Sequence, residues 1–213
     1  MRAKFPLPKA ELEAKIASGE IDTVVVAMTD MQGRLVGKRL DANYFLSDVL
    51  KHGTEGCNYL LAVDVDMNTV DGYEMSSWDK GYSDLAMIPD LNTLRLIPWQ
   101  PGAALLLADV SWLDHSDVVA SPRQILKKQI KALNDAGMKA MVGTELEFVV
   151  YNNTYEQAFN KGYKDLTPSN QYNVDYSILG GSRVEPLLRA IRLGMTGAGM
   201  NVESVKGECN FGQ

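Results

Sequence analysis

The chain has 213 residues and a formal net charge of −6, with 23% charged residues and no block of lysines or arginines. These values exclude the basic surface of a nucleic-acid-binding protein, and no apolar run reaches the roughly 20 residues that cross a bilayer. Two cysteines cannot build a disulfide framework and indicate a reducing cytoplasm, and two histidines exclude a histidine-rich zinc site.

The first half of the sequence predicts short strands and helices. In chain order these are a helix over 9–18, strands over 23–28 and 35–40 around a turn at 31–34, a helix from the cap Asp41 to Gly53, and strands over 59–65, 93–97 and 104–110. Residues 66–84 are polar and lack periodicity, and a loop of that length is more often functional than not.

The second half predicts helices that alternate with strands. A helix is expected over 121–137, an apolar strand over 141–151, a helix from a capping box at 182–185 to Gly197, and a strand over 201–205. The change of pattern predicts an α+β fold with domains at 1–117 and 118–213. The second domain has too few strands for a complete sheet, so the chain is expected to be a fragment.

Four glutamates predict a metal site. Glu145 and Glu147 are two residues apart in the predicted apolar strand, so their side chains share one face. Burying carboxylates is costly unless a cation neutralises them, and oxygen ligands suit Mg²⁺ or Mn²⁺. Glu203 and Glu208 would point to opposite faces unless Gly207 forms a bulge. The alternative is an amphipathic strand whose carboxylates face solvent.

Five segments occur in the same order as motifs of glutamine synthetases. Residues 143–148 (GTELEF) resemble the first metal-binding strand of that family, and residues 203–213 (ESVKGECNFGQ) resemble the second. Residues 71–78 (DGYEMSSW) look like the family's latch, and residues 84–90 (DLAMIPD) look like the stretch after it. Residues 29–39 resemble the opening of the family's β-grasp domain, which implies a β-grasp domain followed by the truncated start of the catalytic α/β domain.

The resemblance implies an ATP-dependent ligase. Glutamate would form γ-glutamyl phosphate, and ammonia or an amine would displace the phosphate. Carried over from the family, Glu147 and Glu208 would bind the Mg²⁺ or Mn²⁺ ion nearer glutamate, and Glu145 the ion nearer the nucleotide. Glu203 would lie at the ATP ribose.

The family also implies a site shared between subunits of a homo-oligomer of stacked rings. Asp71 would reach a neighbouring subunit's site and deprotonate ammonium, and Tyr176 would line the glutamate site. Glu74 replaces the latch serine, which would suit a cation larger than ammonium, although a solvated loop carboxylate is an equal alternative. Residues 206–208 (KGE) replace the His-His-Glu found in typical glutamine synthetases, which favours the γ-glutamyl-amine or polyamine ligase branch.

Three functions therefore stay open from the sequence. The first is a fragment of a glutamate–ammonia or glutamate–amine ligase, which alone is expected to form no γ-glutamyl hydroxamate because later ligands of the family are absent. The second is a non-catalytic protein that keeps the scaffold for assembly or binding. The third is a carboxylate-rich metal-dependent hydrolase, which would need a general base from only two histidines.

Overall fold

The computed structural model describes residues 4–213, which form two compact units. The first unit holds residues 4–140 together with Gly197–Met200, and the second holds Met141–Thr196 and Asn201–Gln213. The domain boundary between residues 117 and 118 was inferred from a change in sequence pattern, whereas the two units are defined by spatial contacts. The predicted boundary therefore stays a prediction.

The first unit is built on a mixed five-stranded sheet. Its strands are β1 Thr23–Thr29, β2 Leu35–Asp41, β3 Thr54–Cys57, β4 Asp84–Leu96 and β5 Ala103–Trp112. They lie in the order β2-β1-β5-β4-β3, and every neighbouring pair is antiparallel except β1 and β5. Strands and helices together confirm the α+β class, whereas the more specific β-grasp assignment remains a prediction.

Seven α-helices accompany the strands in the described part of the chain. They are α1 Lys9–Ala17, α2 Ala42–Tyr44, α3 Leu50–His52, α4 Pro122–Asp135, α5 Tyr155–Asn160, α6 Ile178–Ser182 and α7 Glu185–Gly197. A π-helical segment, Phe45–Val49, joins α2 to α3, and a 3₁₀ segment covers Asn58–Leu61. Within residues 4–213, none of the helices has the length and apolar character that a membrane span requires.

The hydrophobic core of the first unit forms because apolar side chains alternate along the strands and recur on one helical face. In β1, Val24 and Val26 are fully buried, and Leu12 of α1 and Phe45 of the π-helical segment pack into the same cluster. Asp41 caps the following helix through its carboxylate, which accepts the N–H groups of two residues that follow it. The predicted first helix, the β1–β2 hairpin and the capped helix are therefore confirmed.

One strand prediction in this unit was wrong. The predicted strand at 59–65 begins in the 3₁₀ segment, because Asn58 turns the chain: its N–H donates to the Ser83 carbonyl (2.8 Å) and its side-chain amide to the Met75 carbonyl (2.9 Å). The strand predicted at 93–97 was confirmed as the second part of the longer strand β4, whose register shifts between Asp90 and Arg95. The Thr93 hydroxyl occupies that irregularity and accepts the N–H of Leu107 (2.7 Å).

The second unit lacks the two predicted strands. Neither residues 141–150 nor residues 201–205 are assigned to a strand, and the side chain of Met141 is 96% exposed. A strand needs a neighbour that pairs with its backbone, and here the pairing is limited to points such as Val150, whose N–H donates to the Gly212 carbonyl (2.8 Å). The predicted burial of the acidic segment was therefore wrong as well.

The predicted capping box at 182–185 was also wrong. Ser182 lies inside α6, where its hydroxyl donates to the Ile178 carbonyl (2.8 Å), and Glu185 forms an ion pair with Arg192. The capping box of this unit lies instead at Thr154 and Gln157, where each side chain satisfies the other residue's N–H. Its Thr-x-x-Gln pattern was visible in the sequence and was missed.

Candidate functional site

Three carboxylates of the second unit come together. Glu145, Glu147 and Glu208 each present an oxygen, and the three atoms lie within 4.8 Å of one another. Glu145 and Glu147 are exposed and Glu208 is half-buried. The structure thus brings together three of the four glutamates singled out in the sequence, although the segment carrying the first two is not a regular strand.

The end of the chain folds against the acidic segment through glycine. Gly212 has a φ of 72°, and a Cβ there would lie 2.8 Å from the Val150 carbonyl oxygen, so only glycine allows the backbone contact. This contact places Gln213 beside the carboxylates, where its amide donates to Glu147 (2.9 Å), and the Gln213 carbonyl accepts the N–H of Glu208 (3.3 Å).

Gly207 permits a second close approach, to the segment that carries Asp175 and Tyr176. Its carbonyl accepts the N–H of Tyr176 (3.1 Å), and a Cβ at this position would lie 2.5 Å from the Val174 carbonyl oxygen. The sequence suggested a bulge as the reason for this glycine. The actual reason is backbone contact, because residues 201–205 are not a strand.

Lys206 links the carboxylate group to Tyr176. Its ammonium group pairs with Glu208, lies 3.7 Å from Asp175 and stands 4.2 Å from the centroid of the Tyr176 ring. The hydrogen bond to Glu208 raises the pKa of Lys206, so the side chain stays a cation. The sequence gave no signal for Asp175, because its place in this network depends on folding.

Cys209 contributes a thiol on the other side of Asp175. The thiol donates to a carboxylate oxygen of Asp175 (3.0 Å), and this hydrogen bond raises the pKa of Cys209. Asp175, Glu208 and Cys209 form a second close group. A protonated thiol is a poor metal ligand, so the all-carboxylate group is the better candidate.

The chemistry of the carboxylate group fits a divalent cation. Three carboxylates supply only hard oxygen donors, which Mg²⁺ and Mn²⁺ prefer over nitrogen or sulfur. Oxygens on opposite sides of a Mg²⁺ ion lie about 4.2 Å apart, so atoms within 4.8 Å of one another need only small side-chain rotations to reach it.

Asp71 and Glu74 share a cavity in the first unit. The cavity has a volume of about 510 Å³ and is lined by polar, charged and aromatic residues that include Asp71, Tyr73, Glu74, Trp78, Asp79 and Lys80. The ammonium group of Lys80 donates to the Glu74 carbonyl (2.8 Å). Trp78 packs edge-on against Tyr82 with ring centroids 5.1 Å apart. Carboxylates beside an exposed indole are the groups that bind organic cations.

Two predicted site residues remain, Glu203 and Tyr176. Glu203 is exposed and lies outside the close group of carboxylates. Tyr176 is 72% exposed and has a φ of 52°, a left-handed conformation that is uncommon for a residue with a side chain.

The sequence matches one described family over its second half. Residues 119–213 match the glutamine synthetase catalytic domain. The chain is 63% identical over 208 residues to the gamma-glutamylethanolamide synthetase GlnA4 of Streptomyces coelicolor, which covers 98% of this chain and 45% of the relative. It is 34% identical over 198 residues to a glutamate–isopropylamine ligase of a Pseudomonas species, covering 93% of this chain and 43% of the relative.

A solved structure shows a similar fold. The GmaS/ADP complex has a TM-score of 0.67 at 18% sequence identity, and the match covers 94% of this chain and 42% of that chain. At this identity the likeness shows the fold alone. The chain spans slightly less than half the length of the curated relatives it matches.

Proposed function

This chain belongs to the glutamine synthetase superfamily, and from that premise we propose that its protein is an ATP-dependent ligase that joins the γ-carboxylate of glutamate to an amine. In this reaction a γ-carboxylate oxygen bonds to the terminal phosphorus of ATP and ADP leaves. The amine nitrogen then bonds to the acyl carbon, phosphate leaves, and the nitrogen loses a proton. The single observation that carries the proposal is the 63% identity to a gamma-glutamylethanolamide synthetase over nearly the whole chain.

The carboxylate group supports the phosphoryl-transfer step. Glu145, Glu147 and Glu208 would hold Mg²⁺ or Mn²⁺ through oxygens that already lie within 4.8 Å of one another. A divalent ion bound there supplies positive charge that offsets the negative charge of the transferred phosphoryl group. Gln213 donates to Glu147 and Lys206 to Glu208, so each of these two carboxylates is oriented by a neighbouring donor.

The loop cavity supports an amine larger than ammonia. Ammonium is a small, strongly hydrated ion that needs little space, whereas this cavity of about 510 Å³ is lined by three carboxylates, an indole ring and a single lysine, so its lining keeps a net negative charge. Two of the relatives are named for ethanolamine and isopropylamine products or substrates. Glu74, in place of the serine of the family's latch, would pair with the alkylammonium form of such an amine.

For three further residues, the family implies the roles that we propose. Glu203 would bind at the nucleotide ribose and Tyr176 would line the glutamate site. Asp71 would act in a neighbouring subunit of a ring-shaped homo-oligomer and accept a proton from the amine. We place the reaction in the cytoplasm, in keeping with Cys57 and Cys209, which are free cysteines.

A substrate panel tests the proposal in the whole protein that contains this chain. Glutamate, ATP and Mg²⁺ are combined in turn with ammonium, methylamine, ethanolamine and putrescine, and γ-glutamyl products are identified by mass. We expect one of the three organic amines to give the highest kcat/KM, with one phosphate released per amide. Equal phosphate release with and without amine would contradict the proposal, and the highest kcat/KM for ammonium would select glutamine formation instead.

A further inference from the structure

The tip of the β1–β2 hairpin contains a buried ion pair that the proposed reaction does not use. Asp30 is fully buried, and its carboxylate accepts the N–H groups of Gln32 (2.9 Å) and Arg34 (2.8 Å) and the side-chain Nε–H of Arg34 (2.7 Å). Burial alone would raise the pKa of Asp30, but the hydrogen bonds from Arg34 and Gln32 outweigh it and lower the pKa. The carboxylate is therefore ionised and holds the Arg34 guanidinium in one orientation.

The other N–H groups of the Arg34 guanidinium donate to backbone carbonyls about 30 residues further along the chain. Nη1 donates to the carbonyl of Val65 (2.6 Å) and Nη2 to the carbonyl of Asp64 (3.1 Å). The side-chain amide of Gln32 donates to the carbonyl of Val63 (3.0 Å). Three consecutive carbonyls are thus bound by two side chains of the hairpin tip.

These carbonyls lie at the start of the segment that forms the cavity of Asp71 and Glu74. We name residues 64–83 the amine loop. Its first turn is held internally, because the Asp64 carboxylate accepts the N–H groups of Asp66 and Asn68 (2.9 Å each) and Val70 donates to the Ala62 carbonyl (3.1 Å). Asp71 follows this turn directly, so its position depends on the position of the three bound carbonyls.

The later part of the amine loop is attached separately. The buried side chain of Asn58 donates to the carbonyl of Met75 (2.9 Å) and to the hydroxyl of Ser83 (3.2 Å). The segment from Asp71 to Glu74 therefore lies between two attachment points, and Arg34 supplies two of the three hydrogen bonds of the one that precedes Asp71.

We propose that Arg34 is a positioning residue that fixes the start of the amine loop on the β1–β2 hairpin and thereby sets the affinity of the loop cavity for the amine. This inference rests on the proposed function. Arginine is required because one rigid planar group must bind a carboxylate and two carbonyls at once. The single ammonium group of lysine cannot reach all three.

Two variants of the whole protein test the proposal, with one control. Arg34→Lys keeps the charge beside buried Asp30 but loses the fork of N–H groups. Gln32→Ala removes the contact with the Val63 carbonyl and the hydrogen bond that Gln32 Oε1 accepts from Arg34 Nη2 (3.1 Å), without leaving a buried charge unpaired. Arg39→Lys, an exposed arginine of β2 on the same hairpin, is the matched control. Hydrogen exchange followed by mass spectrometry reports the amides of Asp64, Met67 and Val70, which are hydrogen-bonded in the first turn of the loop.

We expect Arg34→Lys to speed exchange of those amides at least tenfold, since it removes hydrogen bonds to two carbonyls and each lost bond changes the opening equilibrium about fivefold. Gln32→Ala should have a smaller effect in the same direction, and Arg39→Lys none. Exchange in β1 and β5 should stay unchanged in all three. The KM for the amine should rise several-fold in Arg34→Lys, while kcat and the KM for ATP should stay close to those of the unmodified protein.

Unchanged exchange in the loop would show that Arg34 does not fix the start of the amine loop. Faster exchange with an unchanged KM for the amine would show that this contact does not affect amine binding. If Arg34→Lys also speeds exchange throughout the sheet, Gln32→Ala decides between the two outcomes. A wild-type protein without amine-dependent ligation would refute the proposed function, and the exchange data would still decide whether Arg34 anchors the loop.

Discussion

Glu208 is repelled by some of its charged neighbours and attracted by another. Its carboxylate lies beside those of Glu145 and Glu147, which repel it, and it is paired with the ammonium group of Lys206. A single cation cannot offset three carboxylates, so the group keeps a net negative charge that a divalent ion would neutralise. Substitutions of the residues in and around this carboxylate group should therefore change its affinity for a metal ion by different amounts.

Glu147→Gln should weaken Mn²⁺ binding to the whole protein at least tenfold, or about 1.4 kcal/mol. The amide keeps the size of the side chain but removes one of the charges that attract the ion. Titration calorimetry measures the dissociation constant. Asp165→Asn, which replaces an exposed carboxylate of the same unit, should leave it unchanged. An unaltered Mn²⁺ affinity in Glu147→Gln would remove this residue from the set of ligands.

Glu74→Ser should lower the preference for an organic amine over ammonium. The variant removes a carboxylate that lines the loop cavity, so the KM for ethanolamine should rise more than the KM for ammonium. Steady-state kinetics with both substrates gives the ratio of kcat/KM values. Asp66→Ser, a change of an exposed acid in the same loop, serves as the control. An unchanged ratio in Glu74→Ser would mean that Glu74 is a solvated carboxylate.

The candidate site could be predicted from sequence only where a motif fixes the neighbours. The grouping of Glu145, Glu147 and Glu208 followed from the two resembling segments, and the roles assigned to these residues remain predictions. Asp175 and the anchor formed by Asp30 and Arg34 depend on contacts between distant parts of the chain. No periodicity or local motif reports such contacts.

Helix α4 shows how one element is held to its sheet by charge. Arg123 on α4 binds Asp90 of β4 (2.6 Å) and Asp109 of β5 (3.0 Å), and Lys127 pairs with Asp109 as well. Burial would raise the pKa of Asp109, but the hydrogen bonds from Lys127 and Arg123 outweigh it, and the pKa lies below its usual value of 3.8. The ionised form is thus favoured by folding.

Asp109→Asn should lower Tm at neutral pH and lower it less as the pH falls. A carboxyl whose pKa is depressed by folding contributes stability above its unfolded pKa, and that contribution disappears as the pH falls through the folded pKa. The difference in Tm from the unmodified protein should therefore shrink below about pH 4. Calorimetric scans across pH provide the measurement. Asp135→Asn on the exposed side of α4 is the control, and a difference independent of pH would contradict the ionic explanation.

Gly37→Ala should destabilise the β1–β2 hairpin. A Cβ at Gly37 would lie 2.1 Å from the Val26 carbonyl oxygen and 2.8 Å from the Ala27 Cα, and both atoms belong to backbone that cannot easily move. The strands would have to separate, at a cost of about 1–3 kcal/mol in unfolding free energy. Denaturant titration gives this value. Gly181→Ala, where no heavy atom lies within 4 Å of the added Cβ, should have a much smaller effect.

Elements of the first unit were predictable because local sequence and tertiary context agree there. β1 combines β-branched residues with alternating burial, and its partner β2 follows after a short turn. The segment at 141–150 has equally strong strand character, but strand formation also requires a neighbouring strand. The second unit supplies isolated bridges, such as Tyr151 with Pro168, instead of a ladder. Sequence propensity cannot report whether that neighbour is present.

At the scale of the molecule, the chain combines a sheet-based unit that carries the amine loop with a second unit that carries the carboxylates. It spans slightly less than half the length of relatives that are named as γ-glutamyl-amide synthetases or glutamate–amine ligases. The proposed ligation requires both features, because one would bind the nucleophile and the other would bind the ion that assists phosphoryl transfer. The proposed function therefore depends on the carboxylates binding a divalent ion.

Anomalous diffraction from crystals of the whole protein grown with Mn²⁺ tests this claim most directly. We predict a manganese peak about 2.1 Å from a carboxylate oxygen of at least two of Glu145, Glu147 and Glu208. The peak should be lost at this place in crystals of a Glu147→Gln, Glu208→Gln double variant. A map of the unmodified protein without manganese at these three residues would contradict the account.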